Sequence, residues 1–196
     1  MQYFFIGLGN PGDEYTQTRH NLGRIMIEHF RVAHNFPEWK SDKKSNALIS
    51  KGKIGSNVVT LLCPETFMNK SGLSAKTFVT SVKGAERLLV IYDDLDLPFG
   101  SGKISFNRSS GGHKGIESII KALKTEKFSR LRMGISPTTA GGKMKKPSGE
   151  EAVEKVILGK FTPDQLGVLK KMSKQTNEAL ELFVTHGREP AMTFFN

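Results

Sequence analysis

His20 and His113 are the side chains in this sequence best placed to move protons. Each sits in a polar stretch near glycine, TRHNLG around His20 and GGHKG around His113, and catalytic groups concentrate on loops of this kind. The other three histidines have structural readings. His29 and His34 fall on different faces of one helix, as surface residues, and His186 lies at a helix end where the dipole favours a cation. Asp93, Asp94 and Asp96 directly follow the apolar run LLVIY at 88–92. A carboxylate hydrogen-bonded to one imidazole nitrogen fixes the tautomer and leaves the other nitrogen to take a proton from water. The same acidic cluster at 93–96 also suits magnesium held between carboxylates and a phosphate, the chemistry of a metal-dependent phosphohydrolase or nuclease. No further acidic cluster completes a two-metal site. A structural role remains open for each of these residues: aspartates cap turns, and loop histidines hydrogen-bond locally.

These groups meet only if the fold brings them to one edge. QYFFIG at 2–7 reads as a first strand ending in a glycine turn. Leu22, Ile25, Met26, Phe30 and Ala33 recur at helical spacing, giving a helix over 21–34. Segments 47–54 and 57–62 form a hairpin about Gly55-Ser56, and 66–82 reads as a second helix. The run 88–92 suits a buried central strand. Further strands are expected at 103–107 and 131–136, with the helical stripe of Ile116, Ile119, Ile120 and Leu123 between them. Thr162-Pro163-Asp164-Gln165 has capping-box spacing with proline at the first helical position, so a last helix runs to His186 and stops at Gly187 (162–187). The Pro-, Gly- and Lys-rich stretch 136–150 reads as a mobile basic surface loop, since too little chain follows it for a second domain. The order of elements predicts a single α/β domain over 1–196, a twisted, mixed, mainly parallel sheet flanked by helices. In such sheets the carboxyl ends of the strands line the functional crevice, where Asn10, His20 and the aspartates can converge.

Gly7-Leu8-Gly9-Asn10-Pro11-Gly12 matches the G-x-G-x-x-G pattern of dinucleotide-binding turns. That reading needs a helix to start at once. Here DEYTQTRHN follows, with Tyr15 its only large apolar side chain, so the turn presents Asn10 and leads through an extended loop to His20.

Composition narrows the partners. The net charge is +10, and residues 100–146 hold eleven lysines and arginines against two glutamates. A concentrated basic surface favours a polyanion such as nucleic acid, although basic charge also serves solubility. The aromatic-interleaved signatures of common RNA modules are missing, which weighs against a non-catalytic RNA-binding module. The lone Cys63 excludes an internal disulfide and a cysteine zinc site. No apolar run reaches membrane-spanning length, and the N-terminal apolar stretch is too short for a signal peptide, so the chain reads as cytoplasmic.

Longer strings add a resemblance. GLGNPGDEYTQTRHNLG (7–23), PETFMNKSG (64–72), YDDLDLPFG (92–100), SSGGHKGIESI (109–119) and FSRLRMGIS (128–136) resemble, in order, the blocks of bacterial-type peptidyl-tRNA hydrolases. The resemblance covers most of residues 3–136 and is less specific beyond. It implies hydrolysis of the ester between peptide, or an N-blocked amino acid, and tRNA, by a monomer without metal or cofactor. By matched position His20 is the base and Asp93 its orienting carboxylate. Asn10 recognises the blocked, peptide-like end, and Asn69 orients water or peptide. Tyr15, Phe67 and Met68 line the cleft, His113 flanks the peptide channel, and Arg132 lies near the acceptor stem. Two departures stand out: Lys114 replaces an asparagine of the family motif GGHNG, and Arg108-Ser109-Ser110 alters the glycine run before it.

Overall fold

Tyr3 and Phe5 point into one hydrophobic core and Phe4 and Ile6 into another, so β1 (Gln2–Gly7) is buried on both faces and must lie mid-sheet. In the computed structural model, which describes residues 1–139 and 141–196, it does. The remaining strands are β2 (Lys40–Asp42), β3 (Ala47–Ile54), β4 (Asn57–Pro64), β5 (Leu88–Pro98), β6 (Gly102–Phe106) and β7 (Ser129–Ser136). They form one sheet in the order β2-β3-β4-β1-β5-β7-β6. The central four, β4, β1, β5 and β7, pair in parallel, while β2, β3 and β6 add antiparallel edges. The expected single-domain α/β architecture with a mixed sheet and a parallel core is what forms.

Helices cover both faces. Leu22, Met26, Ile27 and Phe30 of α1 (Leu22–Ala33) pack on the face of Phe5, Leu89 and Ile91. Two short helices follow β4, α2 (Gly72–Phe78) and α3 (Val82–Ala85). Ile116 and Ile119 of α4 (Lys114–Leu123) pack on the opposite face with Phe4, Ile6 and Val90. Near the C-terminus come α5 (Glu150–Ile157), α6 (Pro163–Thr185) and α7 (Arg188–Phe195). The Thr162–Gln165 capping box forms in both directions, and Gly187 (φ 92°) ends that helical run in a conformation that favours glycine. Among the described residues no helix is long and apolar enough to cross a membrane.

Several elements differ from the sequence reading. The helix expected over 66–82 is broken into a 3-10 turn (Met68–Lys70), α2 and α3, because Val79 is extended and Ser81 caps a new start by accepting from the Gly84 N–H. The segment 13–21 is not extended: it forms two 3-10 turns, Asp13–Tyr15 and Arg19–Asn21. Within 136–150, in which residue 140 lies outside the described residues, Thr138 and Met144 form a β-bridge and the Lys145 N–H donates to the Pro137 carbonyl. That segment is therefore folded back on itself and leads into α5.

The glycine-rich turn serves packing. A Cβ on Gly23 would lie 2.2 Å from the Ile91 carbonyl oxygen, and one on Gly7 would lie 2.5 Å from the Gly23 carbonyl oxygen. The start of α1 thus sits directly on β1 and β5, and this close approach carries His20, two residues before α1, to Asp93 of β5, just past the end of the β1–β5 ladder.

Candidate active site

Asp93 continues the Leu89–Ile91 face of β5 to the carboxyl edge of the sheet and is 2% exposed. Both its oxygens accept from His20 Nδ1, at 3.0 and 2.9 Å. The carboxylate only accepts, so the His20 proton is on Nδ1, and Nε2 is left with a lone pair and without a hydrogen-bond partner among the described residues. Burial alone pushes the His20 imidazole down. The charge of Asp93 and the hydrogen bonds to it outweigh burial and hold the imidazole above its ordinary pKa. Burial likewise pushes the Asp93 carboxyl up, but the charge of His20 and the N–H groups of both histidines hold it well below the usual carboxylate range.

The turn bearing His20 is pinned from outside. The Arg19 N–H donates to the Gly159 carbonyl, the Phe161 N–H to the Gln17 carbonyl, and the Arg19 guanidinium to Gln165 Oε1. The link from α5 to α6 therefore fixes the strap that carries the imidazole.

Asn10 is oriented by three hydrogen bonds. Its N–H donates to Asn21 Oδ1, its carbonyl accepts from Asn21 Nδ2, and its Oδ1 accepts from the Met68 N–H at 2.8 Å. With Oδ1 engaged, the amide N–H₂ of Asn10, a residue of the cleft lining, has no hydrogen-bond partner among the described residues. This clamp also sets the 3-10 turn after β4. The Met68 side chain is 4% exposed, packs in the core beside Gly115 and is not part of the cleft lining. Phe67 (59% exposed) and Asn69 are on the surface of the same turn, outside the cleft lining, and Tyr15 is half-buried.

A cleft of about 770 Å³ opens over the pair and is lined by Asn10, His20, Asp93, His113, Lys114 and Arg132 among others. Six of the expected site residues thus converge. The cleft is also lined by Val153 and Ile157 of α5, an element missed in the sequence reading, and by Leu158 just after it. The signal was present: Val153, Val156 and Ile157 recur at helical spacing after Ser148-Gly149.

The acidic cluster is divided among separate partners. Asp94 Oδ2 accepts from Arg132 Nε at 2.6 Å, Asp96 pairs with Lys146, and Asp93 serves the histidines. This arrangement disfavours the phosphohydrolase reading, since the carboxylates do not converge. Among the described residues, His20, Asp93 and His113 are the one group whose ligand-type atoms lie within 4.8 Å of one another, and these atoms are bonded to each other.

The basic surface is also smaller than residue counting suggests. Arg130 is fully buried with its guanidinium over the Phe128 ring, 4.4 Å from the centroid. Lys114 is 70% exposed in its side chain and lies 3.5 Å from Glu117. His29 is exposed as expected, whereas His34 is half-buried, its ring 4.3 Å from that of Phe30.

The chain matches the family model for peptidyl-tRNA hydrolase over residues 4–196. A peptidyl-tRNA hydrolase of Herpetosiphon aurantiacus is 38% identical over 99% of this chain and 90% of its own length. One from Aquifex aeolicus is 37% identical over 97% of this chain and 94% of its own. The crystal structure of peptidyl-tRNA hydrolase from Acinetobacter baumannii superposes with a TM-score of 0.87 at 30% identity, covering 99% of this chain and 94% of that one.

Proposed function

The chain belongs to the peptidyl-tRNA hydrolase family and hydrolyses the ester of peptidyl-tRNA, and we propose that it does so by general-base attack of water through His20. The observation that carries this assignment is the His20 Nδ1–H held at 2.9 Å by a buried Asp93, with Nε2 left free at the cleft. Nε2 takes a proton from water as the water oxygen attacks the ester carbonyl carbon. Asp93 stabilises the resulting imidazolium. The tetrahedral intermediate collapses by breaking the bond to the ribose oxygen, which leaves with the proton returned from Nε2. Asn10 Nδ2 supplies a donor for a carbonyl oxygen of the substrate, and Asn69, on the exposed turn held by Asn10, orients water or peptide.

The Asn10 amide also accounts for selection of a blocked end. Its free group is a donor, which pairs with a peptide carbonyl. A free α-ammonium carries only donors and would meet the Asn10 N–H₂ donor to donor, a costly mismatch. Tyr15 and Phe67 border the approach, His113 flanks the peptide path, and Lys114 and Arg132 face the nucleotide. In this reading the enzyme works as a monomer in the cytoplasm and needs no metal. Incubation with N-acetylaminoacyl-tRNA and with free aminoacyl-tRNA, both in EDTA, tests it. The blocked substrate alone should be cleaved. Loss of activity in EDTA with recovery in magnesium would overturn the metal-free chemistry, and binding without turnover would overturn the assignment of His20.

Affinity for tRNA should fall steeply with salt, because lysines and arginines that neutralise phosphates release counterions. Arg132→Ala should weaken binding and reduce the slope of log K against log salt by about 1. A modest loss is the expected upper end, since Asp94 already neutralises part of that charge. Unchanged affinity and slope would remove Arg132 from the interface.

A further inference from the structure

The carboxylate that orients His20 is shared. Asp93 Oδ1 receives His113 Nε2 at 3.1 Å as well as His20 Nδ1 at 3.0 Å. His113 is simultaneously the N-cap of α4, its Nδ1 accepting from the Ile116 N–H at 3.3 Å. A ring nitrogen that accepts an amide N–H carries no proton, so the His113 proton lies on Nε2 and is donated to Asp93. The backbone cap therefore fixes the tautomer. The Tyr92 ring, 4.8 Å from that of His113, supports the imidazole from the strand side.

We propose that His113 is a positioning residue for the hydrolysis, acting on His20 through the carboxylate they share. This rests on His20 as the base. A neutral N–H bonded to Oδ1 stabilises the carboxylate charge and draws part of it away from the His20 imidazolium. It also gives Asp93 a second anchor, so that the carboxylate cannot rotate away from Nδ1. The loop that carries His113, which departs from the family pattern on either side of it at 108–110 and at Lys114, is thereby tied to the strength of the catalytic base.

Other groups face Asp93 from each side. Tyr92 and Asp94 belong to its own strand, Asp94 paired with Arg132 of β7. Asp96 is paired with Lys146 of the β7–α5 segment, Lys114 is paired with Glu117 on α4, and Glu150 and Glu154 of α5 line the cleft. All of these stay in place in the variants below and contribute alike to each.

The two bonds of His113 can be removed separately. His113→Asn keeps an acceptor where Nδ1 stood, and asparagine is among the best N-caps, but its side chain is too short to reach Asp93. His113→Gln carries an N–H at about the reach of Nε2 but loses the cap. The experiment follows the acid limb of kcat/KM with N-acetylaminoacyl-tRNA, the NMR titration of the His20 ring protons, and Tm, in the full chain. For His113→Asn we expect Tm close to the parent, a lower kcat, and both His20 midpoints moved to higher pH by about 0.5–1 unit. For His113→Gln we expect the parental midpoints with Tm lower by about 2–4 °C. Equal midpoints in the parent and His113→Asn, or equal shifts in the two variants, would overturn the proposal. If the parent itself fails to cleave the blocked substrate, the assignment of His20 falls, while the NMR titrations still decide whether His113 acts on His20 through Asp93.

Discussion

His20→Ala lowers kcat for N-acetylaminoacyl-tRNA by about 10²–10⁴, the usual cost of removing a general base. The loss appears in kcat and not in tRNA affinity, because affinity rests on phosphate contacts made elsewhere on the surface. Some stability is lost as well. Asp93 is buried, and without His20 it keeps only the His113 N–H, so Tm drops by a few degrees while the fold persists. Single-turnover rates at saturating enzyme, with tRNA binding measured alongside, check this. A variant that turns over within about tenfold of the parent, less than the smallest cost of losing a base, would remove His20 from the chemistry.

Asp93→Asn produces a loss of similar size for a different reason. The amide is nearly isosteric but carries one acceptor where the carboxylate has two. His113 is committed to donating through Nε2 by its cap, so the amide oxygen goes to His113. The amide N–H₂ then occupies the place of Oδ2 and faces His20 Nδ1 at the 2.9 Å position. Two donors meet there, and the cheapest escape is for His20 to move its proton to Nε2, where it can no longer accept one from water. A tautomer error of this kind in a serine hydrolase triad costs about 10⁴ in kcat. The activity that remains depends on an imidazole without its anion, so its acid limb moves to lower pH, opposite in sign to the shift expected for His113→Asn. An equal or greater loss from Asp94→Asn would mean that Asp94 is the orienting carboxylate.

The core of the fold was legible because Tyr3–Ile6 of β1 and Leu88–Tyr92 of β5 are unbroken apolar runs, and only strands buried on both faces tolerate that. The β3–β4 hairpin and the capping box of α6 were legible because turn and cap chemistry is local. The break at Val79 was not, because α2 and α3 together keep a nearly helical spacing of apolar residues. Arg130 misled in the other direction. In the strand SRLRMGIS it shares a face with Arg132, yet Phe128 and the surrounding sheet bury it completely while Arg132 reaches the cleft. Alternation alone does not distinguish two arginines on one face.

At the site, residue types and family blocks pointed to His20, Asp93 and Asn10; the first two are hydrogen-bonded and all three line one cleft. The second bond to Asp93 was not legible. His113 lies twenty residues away in sequence, and its role depends on one nitrogen capping α4 while the other reaches the carboxylate. The orientation of Asn10 was hidden for the same reason, since it is set by the backbone of Met68, 58 residues along the chain. The family blocks place Met68 at the cleft, whereas its side chain packs in the core and its N–H donates to Asn10 Oδ1.

The most direct test of the account compares two midpoints on the parental enzyme: the acid limb of kcat/KM with N-acetylaminoacyl-tRNA, and the NMR titration of His20 in the free protein. The limb of kcat/KM reports groups of the free enzyme, so the two are comparable. Activity requires the neutral imidazole, and Asp93 holds its pKa up, so the rate should rise with pH through a midpoint above the ordinary histidine value of about 6.5. The two midpoints should coincide. A His20 that titrates below that value, or a kinetic limb displaced from the His20 titration by about a unit or more, would contradict the assignment of a carboxylate-held His20 as the base.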